Sequence, residues 1–345
     1  MKIFLKGLGL LVGLPTVAIA LFFFWASAST TEQQTYADVF EYDAPAPAVK
    51  SSYTIVSYNI GYLSGLANNT ASKPDRSFFD QNLQRAIAAL AAVSPDIVGL
   101  QEIDLNAKRS YQVNQVETLA KSLEMSAGAI AINWDKNYLP FPTWPPAAHF
   151  GRILSGQALL SHYPIEKNSR IVLERVADKS FIYKAFYLER LAQVSQVSLD
   201  GQPLVVINVH LEAFEEGTRM RQTRFVRSLA EEYAQTFPVI VIGDFNSALN
   251  RPSFVAADGK TYQESQFSIQ EMLASDQLAS AVLEAQWNSN LTFPSDRPKY
   301  KLDYMFYTPS TLEVLNTQVL SAAGESSDHL PVMTEFRFKA SLSEL

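Results

Sequence analysis

Short apolar runs that stop at polar residues recur along this chain, and they predict buried β-strands. The clearest run, residues 239–242, is made of four β-branched residues and stops at Gly243, before Asp244 and Asn246. Because side chains alternate along a strand, residues two apart point the same way. Asp244 and Asn246 would project together if strand geometry continues that far. Both residue types also favour turns, and this run alone leaves the two interpretations equal.

The same pattern predicts the other elements of a mixed fold. Strands are predicted at 53–60, 96–102, 129–132, 156–161, 186–197, 204–209, 302–307 and 330–338. Apolar residues at helical spacing predict helices at 77–93, 113–125 and 215–236. Asp200–Gly201 is a hairpin signal between two strands. We expect residues 311–320 to pair antiparallel with the strand at 302–307.

The N-terminus carries an uncharged run, residues 7–25, after Lys2 and Lys6. Its length is close to the one that spans a bilayer. Ala26, Ser27 and Ala28 then resemble a signal-peptide cleavage site. We predict either a signal peptide cleaved near Ala28 or an uncleaved membrane anchor. The lysines favour a cytoplasmic N-terminus, so the rest of the chain is expected to be exported to the periplasm or the exterior.

Composition and charge limit the domain organisation, the possible metal ligands and the substrate class. Residues 1–28 are assigned to the signal or anchor, polar residues 29–50 to a linker, and residues 51–340 to one folded domain. The 345-residue chain has no cysteine, so a metal would bind oxygen or imidazole ligands. A net charge of −7 without a basic run argues mildly against a nucleic-acid substrate.

Polar residues stand at the ends of six predicted strands, in order along the chain. They are Asn59, Glu102, Asn208 with His210, Asp244 with Asn246, Asp303, and Asp328 with His329. Turn preference explains one such position but hardly six. Carboxylate and amide oxygens suit a hard divalent ion, while carboxylates and imidazoles transfer protons. The pattern therefore favours a catalytic site assembled from several strand ends.

These motifs resemble the endonuclease/exonuclease/phosphatase superfamily, which includes pancreatic-type DNase, abasic-site endonucleases, neutral sphingomyelinases and inositol polyphosphate phosphatases. The resemblance rests on SYNI at 57–60, LQE at 100–102, NVHL at 208–211, GDFN at 243–246, LDY at 302–304 and SDHLPV at 327–332. It covers about residues 53–338. It implies an α+β fold, a DNase-like four-layer αββα sandwich of two packed, mainly antiparallel sheets with helices outside.

The resemblance also implies a metal and a phosphate-binding group. Glu102 would be the main ligand of Mg²⁺, with Mn²⁺ as an alternative ion, and Asn59 would lie nearby. Asp328 would bind the metal or a water. His210 would contact a phosphate oxygen, and Asn208 would support it within the substrate-binding group. Mg²⁺ keeps several waters, so one carboxylate is a sufficient anchor.

The remaining implied roles are catalytic. Asp244 would take a proton from the attacking water, and Asn246 would orient that water or the phosphate. His329 would donate to a phosphate oxygen while Asp303 holds its ring and raises its pKa. One departure concerns Gly61, which occupies the position where abasic-site nucleases have an acidic metal ligand.

Together these observations predict a Mg²⁺-dependent hydrolase of a phosphodiester, with a lipid-like or small organic substrate favoured. A secreted or membrane-tethered nuclease that acts on DNA or RNA is the alternative, and a non-catalytic binding domain is a third hypothesis. We expect a monomer. Membrane association would come from the N-terminal segment.

Several residues keep two interpretations. The stretch from Trp134 to Pro146 is too rich in proline for a long regular element, and it either faces the substrate or a membrane or caps the core. His149 and Arg152 either reach the substrate or are solvated loop residues. Three arginines on the predicted helix at 215–236 either meet an anionic headgroup or form a solvated face; they are Arg219, Arg221 and Arg224.

Overall fold

A computed structural model describes residues 2–45, 47–249, 254–255, 261–262 and 267–340, with backbone alone at 2–12, 254–255 and 261–262. The helices are α1 Lys2–Ser27, α2 Arg76–Ala91, α3 Gln115–Ser122, α4 Phe181–Phe186, α5 Glu216–Ala234 and α6 Ile269–Leu273. The strands are β1 Ala37–Glu41, β2 Tyr53–Asn59, β3 Ile97–Asp104, β4 Ala127–Leu139, β5 Gly151–Ser161, β6 Ile165–Val172, β7 Leu191–Leu199, β8 Gln202–His210, β9 Val239–Asp244, β10 Phe254–Val255, β11 Thr261–Tyr262, β12 Ala279–Ser280, β13 Asp303–Tyr307, β14 Leu312–Val319 and β15 Val332–Phe338.

Within the described residues the strands form two large sheets and the short β10–β11 pair. The larger sheet has the order β1-β4-β5-β3-β2-β15-β14, and the smaller has the order β12-β13-β9-β8-β7-β6. β2 runs parallel to β3, and β8 runs parallel to β9. The other neighbouring strands of these two sheets are antiparallel. The mainly antiparallel pairing is therefore as predicted.

The two sheets pack face to face over an apolar core. Ile55 and Leu159 of the larger sheet join Val206 and Ile242 of the smaller one in a single buried cluster. α2 and α3 cover the outer face of the larger sheet, and α5 and α6 cover that of the smaller sheet. Each helix buries one apolar side and exposes the other, as expected for the outer layers of a sandwich. The predicted αββα architecture is confirmed.

The predicted linker at 29–50 is wrong for its middle part, because this part adds a strand to the larger sheet. β1 pairs antiparallel with β4, from Ala37 opposite Ala131 to Glu41 opposite Ala127. The backbone of β4 would otherwise present an unpaired edge at this position. β1 is only five residues long and its pairing is made by backbone hydrogen bonds, which is why the sequence did not reveal it.

Two further predictions on the strands need correction. The stretch from Trp134 to Pro146 is irregular only after Leu139, because β4 continues through Trp134 to that residue. β14 does not pair with β13; it pairs with β15 in the other sheet. Pro309 lies in the short connection between β13 and β14, where the chain passes from one sheet to the other.

The N-terminal helix α1 ends against the folded domain. Ala26, near its C-terminus, is completely buried, whereas most side chains from Gly13 to Trp25 are exposed. Among the residues whose side chains are described, no helix has the length and apolarity needed to cross a membrane.

Candidate active site

The polar strand ends meet at one edge of the sandwich because of how the strands pair. Parallel pairing brings the end of β8 beside the end of β9, with His210 in register with Asp244. β13 is antiparallel to β9, so its first residue, Asp303, lies opposite Asp244. β15 is antiparallel to β2, and the residues that precede it, Asp328 and His329, reach the same edge.

Asp244 is at the centre of this site. The Asn59 side-chain amide donates to its Oδ2 at 3.0 Å, and the backbone N–H of Asn246 donates to its Oδ1 at 2.8 Å. The Nε2 atoms of His329 and His210 lie 3.6 and 3.7 Å from Oδ2. Burial raises the pKa of Asp244 to about 6, although the charge of His329 acts in the opposite direction. A carboxylate with a pKa close to neutral is a better general base than an exposed aspartate.

The chain turns sharply directly after Asp244, so strand geometry does not continue to Asn246. Asn246 has a φ of +51°, and its N–H bond to the Asp244 side chain makes the Asx-type turn that the sequence left as an alternative. The Asn246 side-chain amide donates to the carbonyl oxygen of Leu211 at 3.0 Å. Gly243 has a φ of +139°, and a Cβ there would lie 1.9 Å from the Val209 carbonyl oxygen. The turn therefore requires glycine at this position.

His329 and Asp303 form a buried pair. The His329 Nδ1 lies 2.9 Å from Asp303 Oδ2, and the ring of Phe293 packs against the imidazole with centroids 4.8 Å apart. Burial alone would lower the pKa of His329, but the charges of Asp303 and Asp244 and the hydrogen bond outweigh it and hold this pKa well above its usual range. The ring is therefore an imidazolium at neutral pH, with Nε2–H available to donate, as the predicted dyad requires.

Glu102 is turned out of β3 by a bulge. The pairing with β5 shifts between Leu100 and Ile103, and Glu102 has a φ of +52°. The Asn68 side-chain amide donates to Glu102 Oε2 at 2.8 Å and to Asp328 Oδ1 at 3.2 Å. Burial, followed by the charge of Asp328, raises the pKa of Glu102 to about 7. Two carboxylates held this close disfavour their own ionisation, and a divalent cation would remove that cost.

Two groups of side chains could hold a metal ion. Glu102 and Asp328 offer carboxylate oxygens, which suit Mg²⁺. The ligand atoms of Asp244, Asp303 and His329 lie within 4.8 Å of one another. In that second group His329 Nδ1 is already bonded to Asp303 Oδ2, so at most Nε2 of this ring is left for a metal. The chemistry of the donors therefore fits a hard cation better at Glu102 and Asp328.

Asn59 lies in the site beside Asp244, and its predicted place near the metal stays a prediction. Its side-chain oxygen accepts the Gly61 N–H at 3.1 Å, and its amide nitrogen donates to Asp244. Gly61 has a φ of +53°, and a Cβ there would lie 2.8 Å from Asp328 Oδ1. A side chain at position 61 would need this left-handed backbone conformation and would meet the side chains of Asp328 and Ser327, so glycine suits the position.

Asn208 is likewise not available to a substrate, so this predicted site residue is corrected. Its amide nitrogen donates to the carbonyl oxygens of Leu100 and Ala158, at 3.1 and 3.2 Å, and lies 3.2 Å from Gln193 Oε1. Its oxygen accepts from Gln101 Nε2 at 2.7 Å. Most of these bonds join β8 to the larger sheet. Asn208 lies two residues before His210, deeper in the sandwich than the site. Asn208 therefore fixes the two sheets relative to each other.

His210 lies between the two halves of the site. Its Nε2 is 3.8 Å from Glu102 Oε1 and 3.7 Å from Asp244 Oδ2. Burial lowers the pKa of His210 well below its usual value, and the positive charges of Arg190 and His329 lower it further. The site thus has one neutral and one protonated imidazole, which gives it two different hydrogen-bonding partners for a phosphate.

Sequence reasoning missed Asn68 and Arg190. Asn68 lies in the loop after β2 and bonds both carboxylates of the Glu102–Asp328 group. Arg190 immediately precedes β7, whose first residue pairs with His210, and its buried guanidinium donates to the Tyr187 hydroxyl at 3.0 Å. Neither residue stands at the polar end of an apolar run, so the pattern that found the other site residues could not find these two.

A groove of about 420 Å³ opens beside the loop that carries Asn68. The loops after β2, after β3 and before β5 form its walls. Its basic and aromatic lining residues are Lys73, Arg76, Lys108, Arg109, His149, Phe79, Tyr111 and Phe150. None of the residues that line it is acidic. The groove can accommodate a negatively charged part of a substrate.

The structure shows where the residues with two possible interpretations lie. His149 lines the groove, and its Nδ1 lies 2.9 Å from the Tyr138 hydroxyl. Arg152 instead donates to the Thr30 hydroxyl at 3.3 Å, in the segment before β1. On α5, neither interpretation fits Arg219, because it is buried and ion-paired with Glu216. Arg221 and Arg224 pair with the exposed or half-buried side chains of Glu174 and Glu271.

The fold and the site together define a class of protein. A two-sheet sandwich with a carboxylate base, a histidine–aspartate pair and a second acidic group at one rim is the arrangement of the DNase-like phosphoester hydrolases. Residues 56–329 match the model of the Endonuclease/Exonuclease/phosphatase family, and the chain belongs to this family. Members of the family are hydrolases that act on phosphoester bonds and are generally metal-dependent.

The individual proteins that resemble this chain either match only part of it or share little sequence identity with it. Two curated proteins of Vibrio cholerae serotype O1, both named as UPF0294 proteins, are 33% identical over 141 residues. The match covers 40% of this chain and spans only 41% of the relatives' length. Among solved structures, an endonuclease/exonuclease/phosphatase from Beutenbergia cavernae has a TM-score of 0.59 at 18% identity, over 84% of this chain and 72% of that one. A mannosyl-6-phosphatase from Bacteroides thetaiotaomicron has a TM-score of 0.57 at 17% identity, over 83% and 100%.

Proposed function

We propose that this protein is a Mg²⁺-dependent phosphodiesterase in which Asp244 activates the attacking water. The observation that carries the proposal is the meeting, at one rim, of a buried carboxylate base, a protonated histidine and a second acidic group. Asp244 accepts the proton of the water, since its pKa of about 6 allows it to be ionised and basic near neutral pH. Asn59 and the backbone of Asn246 hold the carboxylate in place.

The two histidines bind the phosphate in different ways. His329 donates its Nε2–H to a non-bridging oxygen, where negative charge grows in the transition state, and Asp303 keeps its ring charged and oriented. His210, which is neutral, contributes one further contact from the side of Glu102. Mg²⁺, held by Glu102 and Asp328, would supply Lewis-acid stabilisation of the phosphoryl and leaving oxygens.

The favoured substrate is a lipid-like or small organic phosphodiester. The acidic net charge and the four Lys and Arg side chains that line the groove support a compact anionic substrate. A nuclease that acts on DNA or RNA is the second candidate. Its support is that the groove combines cations with aromatic rings, which also suit a nucleic-acid strand. We further propose that the protein is exported and held at a membrane by its N-terminal segment.

A hydrolysis screen tests the proposal. The purified full chain is incubated with Mg²⁺ and with phospholipids, sphingomyelin, inositol phosphates, plasmid DNA and RNA, in parallel with an EDTA sample. Asp244→Asn keeps the size of the side chain but removes the base, and we expect kcat to fall by about 100- to 10,000-fold. Asp276→Asn, at an exposed position outside the site, is the matched control and should retain full activity. Hydrolysis that survives either Asp244→Asn or EDTA would refute the mechanism.

A further inference from the structure

The C-terminal end of α1 is fixed to the catalytic domain. The Asn137 backbone N–H donates to the Ala28 carbonyl at 3.0 Å, and its side-chain amide donates to the Trp25 carbonyl at 3.0 Å. The Lys136 ammonium donates to the Ser27 carbonyl at 2.9 Å. The last carbonyls of a helix have no partner within the helix, and β4 supplies these partners here. The C-terminal end of α1 is thus held to the domain by hydrogen bonds.

Aromatic rings strengthen this attachment on two sides. Phe22 and Trp25 contact the ring of Tyr138 on β4, with centroids 5.7 and 6.3 Å apart. Phe23 contacts Phe181 of α4 with centroids 4.8 Å apart. The end of α1 therefore lies between α4 and the end of β4, where the proline-rich loop, residues 140–146, begins.

Both flanking elements carry large apolar side chains that are exposed. On α4, Phe181 is 66% exposed and Ile182 is 59% exposed. In the proline-rich loop, Trp144 is 78% exposed and Phe141 is 39% exposed. Together with Trp25, which is 53% exposed, these four side chains make up what we call the apolar face. A soluble domain rarely leaves so many large apolar groups in water.

The exposed part of α1, to which Trp25 of the apolar face belongs, is apolar as well. Leu14, Val17, Ile19 and Leu21 are each more than half exposed, and residues 7–25 carry no charge. Tryptophan and tyrosine rings at the junction between an apolar helix and a polar domain are typical of a membrane–water interface. We infer that the apolar face rests on a lipid bilayer, so that α1, α4 and the proline-rich loop hold the domain in one orientation at the lipid surface.

This orientation has a consequence for the groove. His149 lines the groove and bonds Tyr138, the same side chain that packs on Phe22 and Trp25. The groove therefore opens close to the apolar face. This position agrees with the lipid-like substrate proposed above, but the inference about the bilayer does not depend on any hydrolytic activity.

Single-cysteine labelling tests the inference cleanly, because the chain has no cysteine of its own. Trp144→Cys and Phe181→Cys are each labelled with an environment-sensitive fluorophore in the full chain. Leu283→Cys and Leu315→Cys serve as matched controls: Leu283 is 68% exposed, Leu315 is 42% exposed, and both lie at or near the opposite edges of the two sheets. The labelled proteins are incorporated into vesicles of phosphatidylcholine with a minor fraction of phosphatidylglycerol.

In the vesicles, we expect the fluorescence emission of labels at positions 144 and 181 to shift to the blue and to be protected from quenching by aqueous iodide. Labels at positions 283 and 315 should show neither change. Labels at 144 and 181 that stay accessible to iodide would overturn the inference, as would equal protection at all four positions. The inference also requires α1 to be retained. Intact-mass measurement of the membrane-bound protein is expected to show the helix present, and cleavage near Ala28 would overturn it.

Discussion

Asn208 offers the sharpest test of how this sandwich is built. Its side chain takes part in four hydrogen-bond contacts in the interior, to Leu100, Ala158, Gln193 and Gln101. Replacement by leucine keeps a similar volume and removes all of these bonds. If Asn208 contacted the substrate, the same replacement would raise KM and leave folding unchanged. The two roles therefore predict opposite results.

The expected loss of stability follows from the number of groups left without a partner. A buried polar group that loses its partner costs about 1–3 kcal/mol. Asn208→Leu leaves the Gln101 amide, the Gln193 side-chain oxygen and the carbonyl oxygens of Leu100 and Ala158 each short of one contact. We therefore expect the free energy of unfolding to fall by about 3–5 kcal/mol. For a domain of this size that corresponds to a fall in Tm on the order of 10 °C.

Urea and thermal denaturation followed by circular dichroism measure this change. The matched control is Asn316→Leu, the same replacement at an exposed position on β14, and it should stay within about 0.5 kcal/mol of the original protein. A loss below about 1 kcal/mol for Asn208→Leu, together with a raised KM, would refute the structural role assigned here.

Four further predictions concern the site and its support. Asp303→Asn removes the charge that keeps His329 protonated, and kcat should fall about 100-fold or more in steady-state kinetics. Glu102→Gln should raise the Mg²⁺ concentration for half-maximal activity about tenfold in a metal titration. Gly243→Ala places a Cβ 1.9 Å from a carbonyl oxygen, so urea denaturation should show a loss of more than about 3 kcal/mol. Lys108→Glu puts a negative charge in the groove, and it should raise KM while kcat is kept.

Matched variants separate these effects from general damage. Asp276→Asn controls for loss of a carboxylate outside the site, and Lys167→Glu controls for charge reversal at an exposed position on β6. An Asp303→Asn enzyme with normal kcat would contradict the dyad. An unchanged Mg²⁺ requirement in Glu102→Gln would place the metal elsewhere. A KM that changes equally in Lys108→Glu and Lys167→Glu would show that the groove has no special part.

The sequence alone located many of the strands and helices and several residues of the candidate site, although it did not predict β1, β6 or α4. Runs of β-branched residues locate the buried strands, since few other arrangements bury four such side chains in a row. Polar residues at the ends of these runs led to Asp244, His329 and Glu102, because a strand end is where a buried element reaches the surface. The sequence pattern could not predict the bulge at Glu102 or the turn at Asn246. Positive φ values at such residues depend on the surrounding structure.

Only the tertiary structure decided which partners these residues meet. The alternation along β8 puts Asn208 and His210 on the same face, but depth within the sandwich makes one a link between the sheets and the other a site residue. The pairing of β14 with β15, and of β1 with β4, was likewise invisible, because backbone hydrogen bonds carry no side-chain signature. Local pattern fixes the face of a strand, while long-range pairing fixes what lies opposite that face.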